Sequence, residues 1–377
     1  MELKRLKILL ISPQAWGNVR VSKHHYAASL AALGNSVFFL NPPVNEGNAF
    51  SMEDTEIENL KVVSYGSFFP LGLRFKFGGL YRMLMRYQVG RLLKRLGKEI
   101  DIVWCFEPNL YSDLSWFKAR VKIFHPVDVF RSQNALRLAS SADIIFSVSP
   151  SILRFFEKTG KPMYFINHGL GKNFEELAKQ PDSSSRGFEN ICYVGNMLIP
   201  YLDRELIVDL VERFPEKVFH FVGPYTASHS SLGNGDEISL AFIEKLRTFK
   251  NVILHGPKGV SELPVMMGKM DAFILCYRGD MEGYDLSNSH KMLEYLSTGK
   301  PVISTPIQAY LSVGNEIYMP KVDNYKERTS FFSKILNDVM PFEREELVFA
   351  RKELSLQNTY MKQIGRIEEK LKLHHLL

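Results

Sequence analysis

The sequence predicts an α/β protein made of two doubly wound, parallel-sheet halves. Three observations predict it: short, wholly apolar runs recur along the chain, helical patterns separate them, and the alternation restarts after one polar break. A chain of 377 residues is long enough for two ordinary domains, each with its own core. Hydrophobic residues make up 45% and charged residues 23%, the balance of a folded globular protein rather than a disordered one.

Residues 7–12 (KILLIS) read as a buried parallel strand that ends in the turn-rich loop 13–18. A helical pattern over 22–33 stops at Gly34-Asn35, a plausible C-cap. Residues 37–40 form a second strand, closed by Pro42-Pro43. Further strands follow at 101–106, 121–124, 143–148 and 163–166. The segment 178–186 (AKQPDSSSR) is polar, carries a proline and three serines, and reads as a linker.

Beyond it, the strand 190–194 ends at Gly195-Asn196 and the strand 218–222 at Gly223-Pro224. The strand 252–255 ends at Gly256-Pro257, followed by Lys258, and the strand 272–276 ends at Tyr277-Arg278. A helix over 290–297 leads into a strand at 301–304, and 358–373 is again helical. Ligands of such folds bind at the carboxyl ends of strands, which here implies a cleft between the halves. Gly17 and Asn18, after the first strand, offer an approach to a diphosphate, with Arg20 and Lys23 adding charge at the next helix start.

The informative segment is 289–304, SHKMLEYLSTGKPVIS. Ser289, His290 and Lys291 open a helix, whose free N–H groups and positive end suit a pyrophosphate. Lys291 adds a full charge. Glu294 lies one turn on, on the same face, where a carboxylate accepts hydrogen bonds from both ribose hydroxyls. Gly299 ends the helix and Pro301 leads a buried strand.

This segment resembles the nucleotide-binding signature K-x-x-E-Y-x-x-x-G-K-P-V of GT-B glycosyltransferases of the GT4-like group. Weaker similarities surround it. Tyr193-Val194-Gly195 and Phe221-Val222-Gly223-Pro224 resemble the first two strands of a donor domain, and 251–256 with Glu262-Leu263-Pro264 resembles the loop that meets the base. Ala142-Asp143, Ser147-Val148-Ser149 and Asn167-His168-Gly169 resemble the late part of an acceptor domain.

The resemblance implies a GT-B fold: two Rossmann-like domains facing a central cleft, with a C-terminal helix crossing back. It places an acceptor-binding domain at 1–180, a nucleotide-sugar-binding domain at 181–345 and bracing helices at 346–377. It implies transfer of a sugar from a UDP- or GDP-sugar to a polysaccharide or lipid-linked glycan. The donor nucleotide would be held by Gly195, Asn196, Gly256, Lys258, Tyr277, Arg278, Ser289, His290, Lys291 and Glu294. On the acceptor side stand Arg20, His24 and His25. The nucleotide-sugar is a co-substrate, and no further cofactor is expected.

Two departures bear on mechanism. Leu286 stands where many GT4-like enzymes have a second glutamate, and His290 where a proline is common. Asp128, after the strand 121–124, is read either as the base that deprotonates an acceptor hydroxyl or as a cap for a helix over 129–138, and His125 is a second catalytic candidate. The chain has no D-x-D, so no metal is expected, and the leaving charge falls to Lys291, Arg278 and helix dipoles.

Two rivals stay open: a nucleotide-sugar epimerase of the UDP-GlcNAc 2-epimerase type, and a non-catalytic glycosyltransferase-like subunit. Dinucleotide binding is disfavoured, because no G-x-G-x-x-G follows the first strand.

The cysteines Cys105, Cys192 and Cys276 are far apart and lack metal spacing, as expected of buried thiols in a reducing compartment. The short apolar run near the N-terminus lacks a signal-peptide pattern, and no run spans a membrane, so a cytoplasmic protein is expected. The formal net charge of +6 implies an anionic partner. Residues 73–98 hold eight basic residues, no acidic ones, and many Leu, Met, Phe and Tyr. They read either as a peripheral contact with an anionic membrane, at the inner face of the cell membrane, or as a helix packed on the sheet. No nucleic-acid partner is expected.

Overall fold

Lys7–Ile11 forms β1, and its Ile8, Leu9 and Leu10 are all fully buried, because a strand inside a parallel sheet is covered on both faces. The computed structural model describes residues 2–17, 20–44, 49–97, 99–128, 132–181, 188–226, 236–279, 288–320, 325–338 and 344–377. They fall into two compact units, Met1–Asn167 with Tyr360–Leu377, and His168–Thr359.

In the first unit β1 is followed by α1 (Ser22–Ala32), β2 (Ser36–Leu40), β3 (Phe50–Asp54) and β4 (Leu60–Tyr65). Then come α2 (Leu73–Lys76), α3 (Gly78–Leu96), β5 (Ile102–Cys105), β6 (Val121–Phe124), α4 (Gln133–Ser141), β7 (Ile144–Ser147), α5 (Pro150–Phe156) and β8 (Met163–Phe165). The eight strands run in the order β3-β4-β2-β1-β5-β6-β7-β8. All neighbours pair parallel except β3 with β4. The strand order reverses between β1 and β5, the point at which open α/β sheets present a crevice.

The second unit opens with α6 (Lys172–Lys179) and β9 (Asn190–Val194). It continues through α7 (Arg204–Arg213), β10 (Val218–Val222), α8 (Glu237–Arg247), β11 (Val252–Gly256), α9 (Glu262–Met267) and β12 (Ala272–Leu275). It ends with α10 (Lys291–Ser297), β13 (Val302–Ser304), α11 (Tyr325–Asn337) and α12 (Glu345–Leu356). Its five strands, all parallel, run β11-β10-β9-β12-β13, so the order reverses between β9 and β12.

The chain then returns to the first unit as α13 (Tyr360–Leu373), which packs on α1. Tyr360, Ile364, Ile367 and Leu371 join the core around Trp104 and Tyr26. The unit boundaries therefore fall at 167/168 and 359/360, not at 180/181 and 345/346. The physical reason is packing. Helix α6 lies on α9, α10 and α12, so it belongs to the second unit although it precedes the linker. Helix α12 is pinned to α10 where Gly299, at φ +75°, lets Val348 approach; a Cβ there would stand 2.7 Å from Val348 Cγ1. Buried Arg351 secures the same joint by donating to the carbonyls of Glu316 (2.8 Å) and Gly299 (3.2 Å).

Candidate functional site

The second unit gathers most of the candidate donor residues at the ends of its strands. A glycine marks the end of each of three neighbouring strands: Gly195 follows β9, Gly223 follows β10 and Gly256 closes β11. They are laced by backbone bonds: Gly195 N–H donates to Val222 O (2.8 Å) and Gly223 N–H to Gly256 O (2.9 Å). A Cβ at Gly223, whose φ is +137°, would lie 2.2 Å from Gly195 O, a clash with backbone that no rotamer relieves. Gly223→Ala is expected to cost about 2–4 kcal/mol, the scale of strain plus a buried clash, and to abolish nucleotide binding. Thermal unfolding with and without nucleotide checks both.

Helix α10 is hung on this row of glycines. The Tyr295 hydroxyl accepts from Val194 N–H (2.8 Å) and donates to Val194 O (3.2 Å), which ties the helix to the end of β9. Lys291 lays its alkyl chain over Gly195: a Cβ there would be 2.7 Å from Lys291 Cε and 2.8 Å from the Tyr193 hydroxyl. The structure thus brings Gly195 and Lys291 together.

Glu294 is the most distinctive group. Its side chain retains 18% of its exposure, and burial pushes the carboxyl up to about 7, opposed by the Lys291 ammonium. It accepts no hydrogen bond from any described residue; His290 Nε2 stands off at 3.8 Å. A desolvated carboxylate without donors is costly, and two hydroxyl donors from a ligand would satisfy it.

Ser289 is buried, and its hydroxyl has no partner among the described residues. His168 joins this corner: its Nε2 donates to Asn288 O (2.8 Å), and its ring meets that of His290 edge-on at 5.9 Å. Sequence reasoning assigned His168 to the acceptor half, whereas the structure places it in the second unit beside the start of α10.

Elsewhere in this unit, Asn196 Oδ1 accepts from Leu198 N–H (2.9 Å), shaping the turn after β9. Tyr277 is buried against Tyr201, its N–H donating to Thr305 Oγ1 (2.9 Å), so it supports the site rather than lining it. Arg278, across the reversal from Gly195, donates its N–H to Tyr201 O (2.9 Å) and lies near the Asp203 carboxylate. That carboxylate is already engaged by Arg328 (2.7 Å) and Leu206 N–H (3.1 Å). Lys258 is exposed in the loop after β11. Leu286, which stands where a second glutamate is common, lies outside the described residues.

The fold agrees with known structures. No family model matches this sequence, and no curated protein matches it. Solved structures do. An E. coli trehalose-6-phosphate synthase bound with UDP-2-fluoro glucose is 10% identical, with 97% of this chain and 98% of that chain covered and a TM-score of 0.70. Anabaena HepE in complex with UDP is 14% identical, with 97% and 100% covered and a TM-score of 0.67. A sucrose-phosphate synthase from Thermosynechococcus elongatus is 12% identical, with 98% and 100% covered and a TM-score of 0.65.

The chain has the GT-B fold.

The first unit of this GT-B fold carries the remaining candidates. Asp128 is exposed just past β6, and it does not cap α4. Helix α4 starts at Gln133, five residues beyond it, and is capped by Ser132, whose hydroxyl accepts from Ala135 N–H (3.1 Å). The capping alternative is therefore corrected: the serine wins because it stands next to the first helical residue.

His125 is fully buried. It accepts from Trp104 Nε1 at Nδ1 (3.3 Å) and stacks on Phe106 at 4.9 Å, a core position rather than an open one. His24 is likewise structural, its Nδ1 accepting from Val21 N–H (3.2 Å) and its Nε2 bonding Ala15 O (3.0 Å). His25 stacks on Tyr360 at 4.8 Å, and burial lowers its pKa to about 4, so it is neutral at physiological pH. Arg20 pairs with Glu56 and covers the Trp16 ring. Gly17 is exposed with nothing within 4 Å of a would-be Cβ, and Asn18 lies outside the described residues.

Lys23, read from the sequence as a charge at the start of the helix after β1, is only 2% exposed. Burial lowers its pKa, and the charges of Asp128 and Glu107 oppose that. Glu107, which sequence reasoning missed, sits after β5, accepts from the N–H groups of Asn109 and Leu110, and is raised by burial. So Lys23, at the start of α1, lies within electrostatic reach of Glu107 and Asp128, which follow β5 and β6. No local pattern announces this cluster, because its members come from the start of α1 and from the segments after β5 and β6.

All three cysteines are buried thiols, and burial raises each pKa. Among the described residues no cluster of His, Cys, Asp and Glu is arranged to hold a metal ion, and no helix is long and apolar enough to cross a membrane.

Proposed function

We propose that this chain is a glycosyltransferase that moves a sugar from a UDP-sugar to a polysaccharide or lipid-linked glycan, in the cytoplasm at the inner face of the cell membrane. The observation that carries this is Glu294: a carboxylate held out of water beside Lys291, with no hydrogen-bond donor among the described residues. A ribose supplies two hydroxyls to it, and Lys291, lying over Gly195, meets the diphosphate. The structures of the same fold named above include ones bound to UDP or a UDP-sugar, which favours uridine over guanosine.

The reaction is displacement at the anomeric carbon. The acceptor oxygen bonds to that carbon, the bond to the diphosphate oxygen breaks, and UDP leaves with the electron pair. Lys291 and Arg278 offset the charge that develops on the leaving group. Asp128 takes the acceptor's proton.

A thermal-shift screen tests the donor class: UDP is expected to stabilise the protein more than GDP, ADP or CMP. No shift with any nucleotide would sink the reading. Turnover is expected to need no divalent metal, so activity lost in EDTA and restored by Mn²⁺ would contradict the mechanism. Product analysis without an acceptor separates transfer from epimerisation, since an epimerase converts its substrate alone.

A further inference from the structure

The longest helix of the first unit shows two unlike faces. Tyr81, Met85, Gln88, Val89, Leu92 and Leu96 of α3 are buried against the domain. The opposite face is apolar as well. Leu80, Met83 and Tyr87 follow one another at helical spacing and are 44%, 63% and 63% exposed. Phe75 and Phe77, in the turn before, are 78% and 59% exposed. Side chains of this size stand in water on a soluble surface only at a cost, and five together form a patch rather than scattered exposures.

Charge surrounds the patch. Residues 73–98 carry eight basic and no acidic residues. Beside the patch runs a groove of about 760 Å³, lined by Arg82, Arg86 and Arg137 with Met83, Trp116 and Leu136. None of the three arginines makes an ion pair with a described residue. Asp113, the acidic residue of this groove, is committed to Ser115 N–H (2.8 Å).

We propose that this face docks on an anionic lipid bilayer, with Phe75, Phe77, Leu80 and Met83 among the acyl chains and Arg82, Arg86 and Arg137 on lipid phosphates. Charge complementarity names the occupant: free guanidiniums want phosphate, while protruding Phe, Leu and Met want hydrocarbon, and an anionic bilayer offers both at one depth. Single-stranded nucleic acid would find rings to stack on in Phe75, Phe77 and Tyr87 but would leave Leu80 and Met83 uncovered, whereas a bilayer covers all five. The surface deepens the location proposed above, but it shares no residue with the nucleotide site, so the two readings fail separately.

The test is co-sedimentation of the full chain with phosphatidylcholine vesicles, with or without about one third phosphatidylglycerol. Wild type is expected to sediment with the anionic vesicles and to be partly released by salt. Two variants at exposed positions, Phe75→Ser/Phe77→Ser/Met83→Ser and Arg82→Glu/Arg86→Glu/Arg137→Glu, are expected to bind at least about tenfold more weakly. Both should keep wild-type melting temperature and UDP affinity. Wild type left in the supernatant, variants that bind as wild type does, or capture of a labelled single-stranded RNA with vesicles left unbound would each overturn the proposal. UDP binding without vesicle binding sinks the surface alone; vesicle binding without UDP binding sinks the nucleotide reading alone.

Discussion

Asp128→Asn is expected to lower kcat by about 10²–10⁴-fold while leaving UDP affinity nearly intact, the loss typical of a missing general base. The substitution keeps size and shape and removes only basicity. Its discriminating power comes from α4. Because Ser132 caps that helix, Asp128 has no capping duty on α4 to lose, so the change should leave the melting temperature where it was. A fall in turnover at constant stability then reports chemistry. Lys23 and Glu107 share this cluster, so the charge that Asp128 carries lies beside a buried lysine. Near-wild-type turnover would remove Asp128 from the mechanism. It would favour displacement with retention, in which the leaving phosphate takes the acceptor's proton and no protein base is required.

Glu294→Ala is expected to weaken UDP binding by about 1–3 kcal/mol, roughly 5- to 150-fold, the scale of hydrogen bonds to a charged group. Calorimetry reads it directly, and unchanged affinity would refute the ribose assignment. A pH signature accompanies it. The Glu294 carboxyl is raised from 4.5 to about 7, so between those values the folded apoprotein holds a proton that the unfolded chain has released. This group's contribution to stability is therefore full below about 4.5 and is lost as pH rises through about 7. Ribose hydroxyls donate to the ionised form, so they pull the pKa down, and binding releases a proton. UDP affinity should rise from pH 6 to pH 8 more steeply in wild type than in Glu294→Gln, where only the ligand's own phosphate titrates. Parallel profiles for the two proteins would show that Glu294 does not meet the ribose.

How far the chain could be read in advance follows from where each signal resides. Strands such as Asn190–Val194 and Val218–Val222 were legible to the residue, because burial on both faces demands an unbroken apolar run. The hairpin of β3 and β4 was not: Phe50–Asp54 lies at the edge of its sheet, largely exposed, and shows no run to read. The segment 289–304 was legible because a glycine-ended helix beside a proline-led strand is a local pattern, and both Lys291 and Glu294 lie inside it.

The sequence by itself determined the α/β class, the two-part organisation, the strand ends and the helix that holds Lys291 and Glu294, since all are written in residues close along the chain. Only the tertiary structure decided which of those residues meet. The tie of Tyr295 to Val194, the seat of Lys291 over Gly195 and the bond of His168 to Asn288 reach across 101, 96 and 120 positions of chain, and the burial of Lys23 and the core packing of His125 are likewise set by packing rather than by neighbouring residues.

 Such contacts depend on chain crossovers that bring distant strand ends together, and burial at those ends is set by the three-dimensional packing, which no window of sequence contains.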